Sequence, residues 1–510
     1  MPLPTTFAGV SSRGEGGFLG SYGPPPIGGP YFMNVEVPVP DQAAYLGVQD
    51  QVFASCVDSS GNIYTTSVGY VGTSCVTVSK YNSSGVVQWA TGFNVTNGVS
   101  SSGMAYPPPP YMAVDSSGTV YAQYYFQPQG AYIACYIAKF NGSTGSVITC
   151  LTAGTSTLVY VDLSGNMYFS DTVANGNGGS NAVLSKYNSS NSCVWKSVYY
   201  SSYGQTASTS QIKSCVVDSS QNVYLSMQGT GPTTSNVLSY IAKLDSSGQS
   251  VWEAKVGTNT YGIALDNSGN IFVVSNYLPP GGVSVNGYTS KGQIISFTNS
   301  GAFRWGWQGQ TSTWFDACTL YAVATDSSGN VFVGGNAVSA NGASNGGVIA
   351  KFNNSGTLLT SGSLYGSSSS STNDPLSNCI RSINVDRSDN TYWTGAVQSN
   401  KATYSGSKTA YNVAEGILIK DTNSIMSTHG GSFTVNSNVT ANWTTGITNN
   451  NMSFGSTGTL NSGVSGTSYA SVTNPYANLT TASAIFGNAL TNTNGGYSTG
   501  PGISNYKVTI

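Results

Sequence analysis

Charge is what this chain has least of. Charged residues make up 7% of its 510 residues and the formal net charge is −2, whereas about a quarter of an ordinary globular protein is charged. Lys and Arg are nowhere clustered, which argues against nucleic acid as a partner, because neutralising phosphates needs grouped cations. A surface this neutral must be solvated by Ser, Thr, Asn and Gly, and near-zero net charge favours association. The chain is therefore expected inside an assembly or outside a cell, not as a free cytosolic enzyme. Histidine is almost missing: His429, between Thr428 and Gly430, is alone. A histidine general base needs a positioned nucleophile and a third group, and no GxSxG elbow, P-loop or HExxH pattern is present. No catalytic residue is assigned and the protein is expected not to be an enzyme.

Other absences narrow the reading further. None of the eight cysteines (Cys56, Cys75, Cys135, Cys150, Cys193, Cys215, Cys318 and Cys379) stands in a CxxC pair, so zinc has no support. Cys56 and Cys215 sit on apolar runs just before a turn and are expected as buried free thiols. No run reaches the 18 or more apolar residues of a membrane-spanning helix. The start, Met1-Pro2-Leu3-Pro4-Thr5-Thr6-Phe7, lacks a basic stretch followed by an apolar one, and is not expected to be a secretory signal peptide. A calcium loop needs several acids and a Glu at its twelfth position; neither Asp58 nor Asp326 has one. No metal or cofactor is expected.

What the chain has is a repeat. Asp266-Asn267-Ser268-Gly269-Asn270 lies between the apolar runs Ile263-Ala264-Leu265 and Ile271-Phe272-Val273-Val274. That is strand, tight turn, strand: Asp accepts backbone hydrogen bonds at the turn's start and Gly supplies the positive φ. The unit recurs at Asp58, Asp115, Asp162, Asp218, Asp326 and Asp386, at successive intervals (Asp266 included) of 57, 47, 56, 48, 60 and 60 residues. Each copy has a second half, as in Ile294-Ile295-Ser296-Phe297, Thr298-Asn299-Ser300-Gly301 and Ala302-Phe303-Arg304-Trp305. Trp89, Trp195 and Trp252 hold the matching place in other copies. One repeat is thus four antiparallel strands, and seven such sheets arranged radially make an all-β, seven-bladed β-propeller.

These residues resemble the seven-bladed β-propeller repeat family of bacterial surface and viral proteins, with its Asp-x-x-Gly-Asn turn, its apolar-Ala-Lys-Tyr/Phe strand and its later Trp. The resemblance covers about residues 45–430 and implies a fold, not an activity. The chain departs from the pattern at Thr119, at Gln221 and Asp389 in the turn-glycine place, and at Ser296 in the lysine place.

The expected organisation is an extended Pro/Gly-rich arm over 1–44, the propeller over 45–430 and a β-forming region over 431–510. The arm's only periodic stretch, Tyr31 to Val37, is expected either to complete the last blade and close the ring, removing two exposed edges, or to belong to a disordered leader, which the composition fits equally. The last region has one charged residue, Lys507, and is expected either as a small β-sandwich or as an arm that orders against neighbours.

In a four-stranded meander the first and third connections lie on one face and the others on the opposite face. Here the first set is short and uniform and the second long and irregular. Variable loops on a rigid scaffold usually carry binding. The candidate binding residues are the aromatics of that face: Tyr106, Tyr124, Tyr125, Phe126, Tyr199, Tyr200, Tyr277, Trp314, Phe315 and Tyr404. They suit stacking on sugars or packing against protein, or covering the loops' own small cores. The lysines Lys80, Lys139, Lys186, Lys243, Lys351 and Lys420 recur on the third strand and are expected to pair with the turn Asp of their own blade. The functional expectation is a non-catalytic structural and binding protein of a virus particle, held to other virion proteins by its two ends. A surface adhesin or glycan-binding propeller is the alternative, and a lyase or hydrolase using carboxylates such as Asp316 and Glu253 is a third.

Overall fold

The computed structural model describes residues 31–35, most of 51–421, and the short stretches 435–436, 479–482 and 507–509. Within 51–421, residues 72, 86, 96–110, 127–133, 155, 175–179, 200–209, 231–236, 257–258, 278–290, 310–316, 339–344, 365–378 and 400–412 lie outside the description.

Seven antiparallel sheets are present, each built on four strands, a to d from the axis outward. Blade 1 is Gln51–Val57, Ile63–Val71, Thr73–Tyr81 and Val87–Val95. Blade 2 is Met112–Val114, Thr119–Phe126, Ala134–Asn141 and Val147–Gly154. Blade 3 is Thr157–Val161, Met167–Ala174, Ser180–Tyr187 and Cys193–Tyr199. Blade 4 is Ser210–Val217, Val223–Thr230, Val237–Leu244 and Ser250–Val256. Blade 5 is Asn259–Leu265, Ile271–Tyr277, Lys291–Phe297 and Phe303–Gly309. Blade 6 is Ala317–Thr325, Val331–Val338, Asn345–Phe352 and Leu358–Leu364. Blade 7 takes Cys379–Val385, Thr391–Ser399 and Val413–Asp421 from one end of the repeat, and its strand d is Tyr31–Val35. The first strands of successive blades adjoin one another all the way round, blade 7 meeting blade 1, so the ring is closed. No helix occurs among the described residues.

The closing strand pairs antiparallel with strand c of blade 7, Tyr31 opposite Lys420 and Val35 opposite Gly416. The seventh sheet therefore draws on residues before 45.

Each sheet is covered on both faces by its neighbours, which is why the strands read as unbroken apolar runs. Ile271, Phe272, Val273 and Val274 are all fully buried although they alternate sides. The core is a set of wedges between blades: one holds Ala54, Tyr64, Trp89, Val120 and Phe140 of blades 1 and 2. The wedge that seals the ring, between blades 7 and 1, is built on Val52, Val57, Ile63, Tyr81, Tyr392 and Leu418. Cys56 and Cys215 are free thiols buried in these wedges, and burial pushes both well above their ordinary pKa.

Candidate functional site

The uniform face is built on the turn aspartates. Oδ1 of Asp58 accepts from the backbone N–H of Ser60 and of Asn62, each at 2.9 Å, and Oδ2 accepts from Asn62 Nδ2 at 2.8 Å and the Tyr64 hydroxyl at 3.0 Å. Asp386 repeats the set with Ser388, Asn390 and Tyr392. Asp115, Asp162, Asp218, Asp266 and Asp326 each accept from the same two backbone positions. Where strand b carries Phe instead of Tyr, another donor arrives. Asn354 Nδ2 reaches Oδ2 of Asp266 at 2.6 Å beside Phe272, and Lys351 Nζ reaches Oδ2 of Asp326 at 3.8 Å beside Phe332. These carboxylates are acceptors saturated by their own scaffold.

A cation lies over the strand b aromatic in all seven blades. Lys80 over Tyr64, Lys139 over Tyr121, Lys186 over Tyr168, Lys243 over Tyr224, Lys351 over Phe332 and Lys420 over Tyr392 stand 4.8–5.8 Å from the ring centres, within cation–π range. In blade 5, where strand c carries Ser296, Arg304 of strand d takes the place over Phe272 at 5.8 Å and donates to the Ser296 hydroxyl at 3.0 Å. Burial lowers the pKa of Lys80, Lys139 and Lys186. Burial, with the nearby Asp58, raises that of the Tyr64 phenol.

The lysines do not form the expected ladder of ion pairs within blades. They reach forward to the next blade's turn instead: Lys80 to Gly142 O at 2.8 Å, Lys139 to Ser189 O at 3.2 Å and Asn191 Oδ1 at 2.9 Å, Lys186 to Gln221 Oε1 at 2.9 Å, Lys243 to Asn299, and Lys420 to Ser83 O at 2.9 Å. Among the described residues the one ion pair is Lys351–Asp326. Its exception has a cause. Blade 7 draws its strand d from residues 31–35, so it has no c–d turn to offer Lys351 a carbonyl.

The strand d tryptophans use the same turns. The indole N–H of Trp89 donates to Gly142 O at 3.0 Å, that of Trp195 to Ser246 O at 3.2 Å, that of Trp252 to Asn299 O at 2.9 Å and that of Trp305 to Asn354 O at 2.8 Å. The regular face is thus an interblade clasp.

On the opposite face the structure splits the candidate aromatics. Tyr124, Tyr125 and Phe126 are the last residues of strand b in blade 2, in register with Tyr136, Cys135 and Ala134. Tyr199 ends strand d of blade 3 and Tyr277 ends strand b of blade 5. These five lie on strand ends, where loops were expected, because the strands run on past the apolar pattern that marks their cores. Tyr106, Tyr200, Trp314, Phe315 and Tyr404 lie outside the described residues, as do Asp316 and His429. Glu253 lies on strand d of blade 4, opposite Ala242. Among the described residues no three His, Cys, Asp or Glu side chains gather as a metal-binding set, and no helix is long and apolar enough to cross a membrane.

The outer edges were not legible beforehand. Three of them carry a fifth strand from the C-terminal region, each antiparallel. Val435–Asn436 lies on strand d of blade 5, Leu479–Ala482 on that of blade 1, and Lys507–Thr509 on Tyr31–Val35 of blade 7. The remainder of 431–510 lies outside the description.

No family model matches the chain, and no curated protein matches it. Solved structures do. A protein of unknown function from Bacteroides caccae matches at 10% identity and TM-score 0.31, over 51% of this chain and 78% of that one. A subtype N11 neuraminidase-like protein of a flat-faced bat influenza A virus (H18N11) matches at 12% identity and TM-score 0.34, over 62% of this chain and 88% of that one.

Proposed function

We propose that this propeller is a non-catalytic structural and binding protein of a virus particle, of the kind its repeats resemble. Its ends hold it to neighbouring proteins and its irregular face is the binding face. The observation that carries the reading is a closed ring whose uniform face is locked by interblade hydrogen bonds, a rigid scaffold of the kind on which irregular loops carry binding. Two further facts support it. The turn carboxylates and the strand c lysines are engaged between or within blades, which leaves them unsuited to acid–base work. The chain is also nearly uncharged, as a component surrounded by other protein can be. The test is quantitative mass spectrometry and imaging of purified particles from the source. Many copies at fixed positions are expected; recovery only from soluble cell fractions would overturn the proposal.

A second reading, a surface adhesin or glycan-binding propeller, draws on the aromatics Tyr124, Tyr125, Phe126, Tyr199 and Tyr277 at strand ends. Glycan-array binding that Tyr124→Ala or Trp314→Ala abolishes would favour it, and a flat array would remove it.

A further inference from the structure

A buried side-chain atom without a hydrogen-bond partner is uncommon in a folded protein, because it has lost its hydration and gained nothing for it. Seven such atoms among the described residues gather in two of the ring's wedges. Thr65 Oγ1, Ser79 Oγ and Asn384 Oδ1 lie between blades 7 and 1, and Ser214 Oγ, Ser226 Oγ, Thr260 Oγ1 and Gln293 Nε2 lie between blades 4 and 5. An eighth, Asn267 Oδ1, belongs to the a–b turn of blade 5.

The strand registers place these groups. Thr65 stands between Ser55 and Ser79 in one row across blade 1. That row shares a face with Ile63 and Tyr81, which pack on Tyr392 and Leu418 of blade 7. Ser55 Oγ accepts from Asn384 Nδ2 at 2.7 Å and lies 2.9 Å from Ser382 Oγ and 3.0 Å from Thr394 Oγ1. Ser214 stands opposite Ser226 in blade 4, on the face whose Tyr224 hydroxyl donates to Asn299 of blade 5. Thr260, Ser275 and Gln293 form one row across blade 5, on the side of Val273, which packs towards blade 4. Both seams depart from the repeat. Blades 5 and 6 have Ile263–Val273–Ile295 and Val323–Val333–Ala350 where blade 1 has Ser55–Thr65–Ser79. Four places before the turn Asp, only blades 4 and 7 carry serine, Ser214 and Ser382. In neighbouring wedges Gln123 Oε1 accepts from the Leu158 N–H at 2.5 Å and the Ser170 hydroxyl donates to Ile212 O at 3.0 Å.

Letting water into a wedge restores what an unpartnered polar atom lost and forfeits what an apolar one gained. The two polar wedges therefore part most readily, and they divide the ring into two arcs, blades 1–4 and blades 5–7. Both seams are held at the regular face, by Lys420 on Ser83 O and by Trp252 on Asn299 O, so the parting is on the irregular side. We propose that the ring flexes at these two seams, its two arcs moving as rigid bodies in a small shear of packed sheets that changes the spacing of the irregular loops. This does not rest on the virus-particle reading, and a ring that proves rigid would leave that reading intact.

The test is thiol labelling of the folded full chain, read site by site by peptide mass spectrometry. Thr65→Cys and Ser226→Cys put a probe in each seam. Val333→Cys holds the Thr65 place in an apolar wedge, and the native Cys56 and Cys215 report two others. Labelling is expected to be about tenfold or more faster at both seam positions than at the three comparison sites. Adding Ser79→Ala, which removes one unpartnered hydroxyl, is expected to slow labelling of Thr65→Cys. Equal rates at all sites, an excess at one seam alone, or no slowing by Ser79→Ala would overturn the proposal. Should a variant fail to fold, hydrogen exchange of the unaltered chain decides. Amides of Gln51–Val57 and Asn259–Leu265, the first strands beside the seams, are expected to exchange about tenfold faster than those of Ala317–Thr325; equal protection would overturn the proposal.

Discussion

Replacing Gly356 by Ala tests the interblade clasp most sharply. Gly356 closes the c–d turn of blade 6 at φ +85°, and a Cβ there would stand 2.6 Å from Cδ2 of Trp305 in blade 5. Two costs combine. An L-residue in the left-handed region costs about 1–2 kcal/mol. The methyl must also displace an indole that is packed against Phe272 and Phe352 and donates to Asn354 O at 2.8 Å; overpacking of this kind costs about 1–3 kcal/mol. The total is about 2–5 kcal/mol. Gly118 supplies the control. It sits at φ +81° in the a–b turn of blade 2, yet its Cβ would meet nothing within 4 Å, so Gly118→Ala should show the backbone cost alone, about 1–2 kcal/mol. Urea unfolding followed by tryptophan fluorescence measures both. Equal losses in the two variants would mean that the indole contact contributes nothing and that the blades are not clasped through these turns.

Three further outcomes are expected. Lys420→Met removes a fully buried cation that donates to Ser83 O at 2.9 Å across the ring's closing junction; a loss of about 1.5–3 kcal/mol should appear in urea titrations, because hydrogen bonds to charged groups carry that much, and no change would refute the closing role. Deleting residues 1–35 strips strand d from blade 7 and bares the edge of Val413–Asp421; about 4 kcal/mol should go with its hydrogen bonds at about 1 kcal/mol each, with aggregation visible by size-exclusion chromatography, and a monomer of unchanged stability would show the closing strand to be dispensable. With pH, the phenols of Tyr64, Tyr111, Tyr121, Tyr160, Tyr168 and Tyr224 have folded-state pKa values raised, burial being the main cause. Their stabilisation is present below the unfolded value of about 10 and is lost above it, by up to about 1.4 kcal/mol per group per pH unit. Lys80, Lys139 and Lys186 are lowered and act oppositely, adding stability as pH climbs towards their unfolded value of about 10.4. Stability should therefore rise towards about pH 10 and fall steeply beyond it; in absorbance titrations the buried phenols should ionise only with unfolding, and free ionisation in the folded state would contradict this.

The fold was legible because its signals are local. An Asp that caps its own turn and a Gly at positive φ act within five residues, and repetition made each copy check the others. The ring closure was half legible: Tyr31 to Val35 is the arm's one strand-forming stretch and an open blade needed one, but the Pro/Gly-rich composition around it fitted a disordered leader as well. The lysines were misassigned because their partners are not local. Lys80 and Asp58 share a blade, but the strand c side chain lies over the Tyr64 ring and so points to the next blade's turn at Gly142; that offset belongs to the packing of sheets. The fifth strands pair with equally distant partners and were hidden for a further reason. Leu479-Thr480-Thr481-Ala482 is no more apolar than its surroundings, and main-chain pairing to an edge leaves little side-chain trace.

The clasp also explains which blades tolerate departures from the repeat. Trp89, Trp195, Trp252 and Trp305 each face a glycine in the following blade's c–d turn: Gly145, Gly248, Gly301 and Gly356. Where the indole is missing, at Thr149 in blade 2 and Thr360 in blade 6, the following blade has no such glycine. Blade 3 has Asn191 at φ 65° and blade 7 has no c–d turn. Among the described residues the non-glycine residues at positive φ, Asn191, Gln221 and Asp389, each offer a side-chain oxygen to the blade before: to Lys139 Nζ at 2.9 Å, to Lys186 Nζ at 2.9 Å and to the Ser327 N–H at 2.8 Å. The strain of a left-handed residue is accepted where it brings an interblade hydrogen bond, and avoided where an indole must pack. The rule extends to the closing junction. Tyr31 stands opposite Lys420 as Trp89 stands opposite Lys80, and the blade that follows carries Gly85 at φ 75°. The N-terminal strand thus brings Tyr31 into register at the one junction where strand d comes from a different part of the chain.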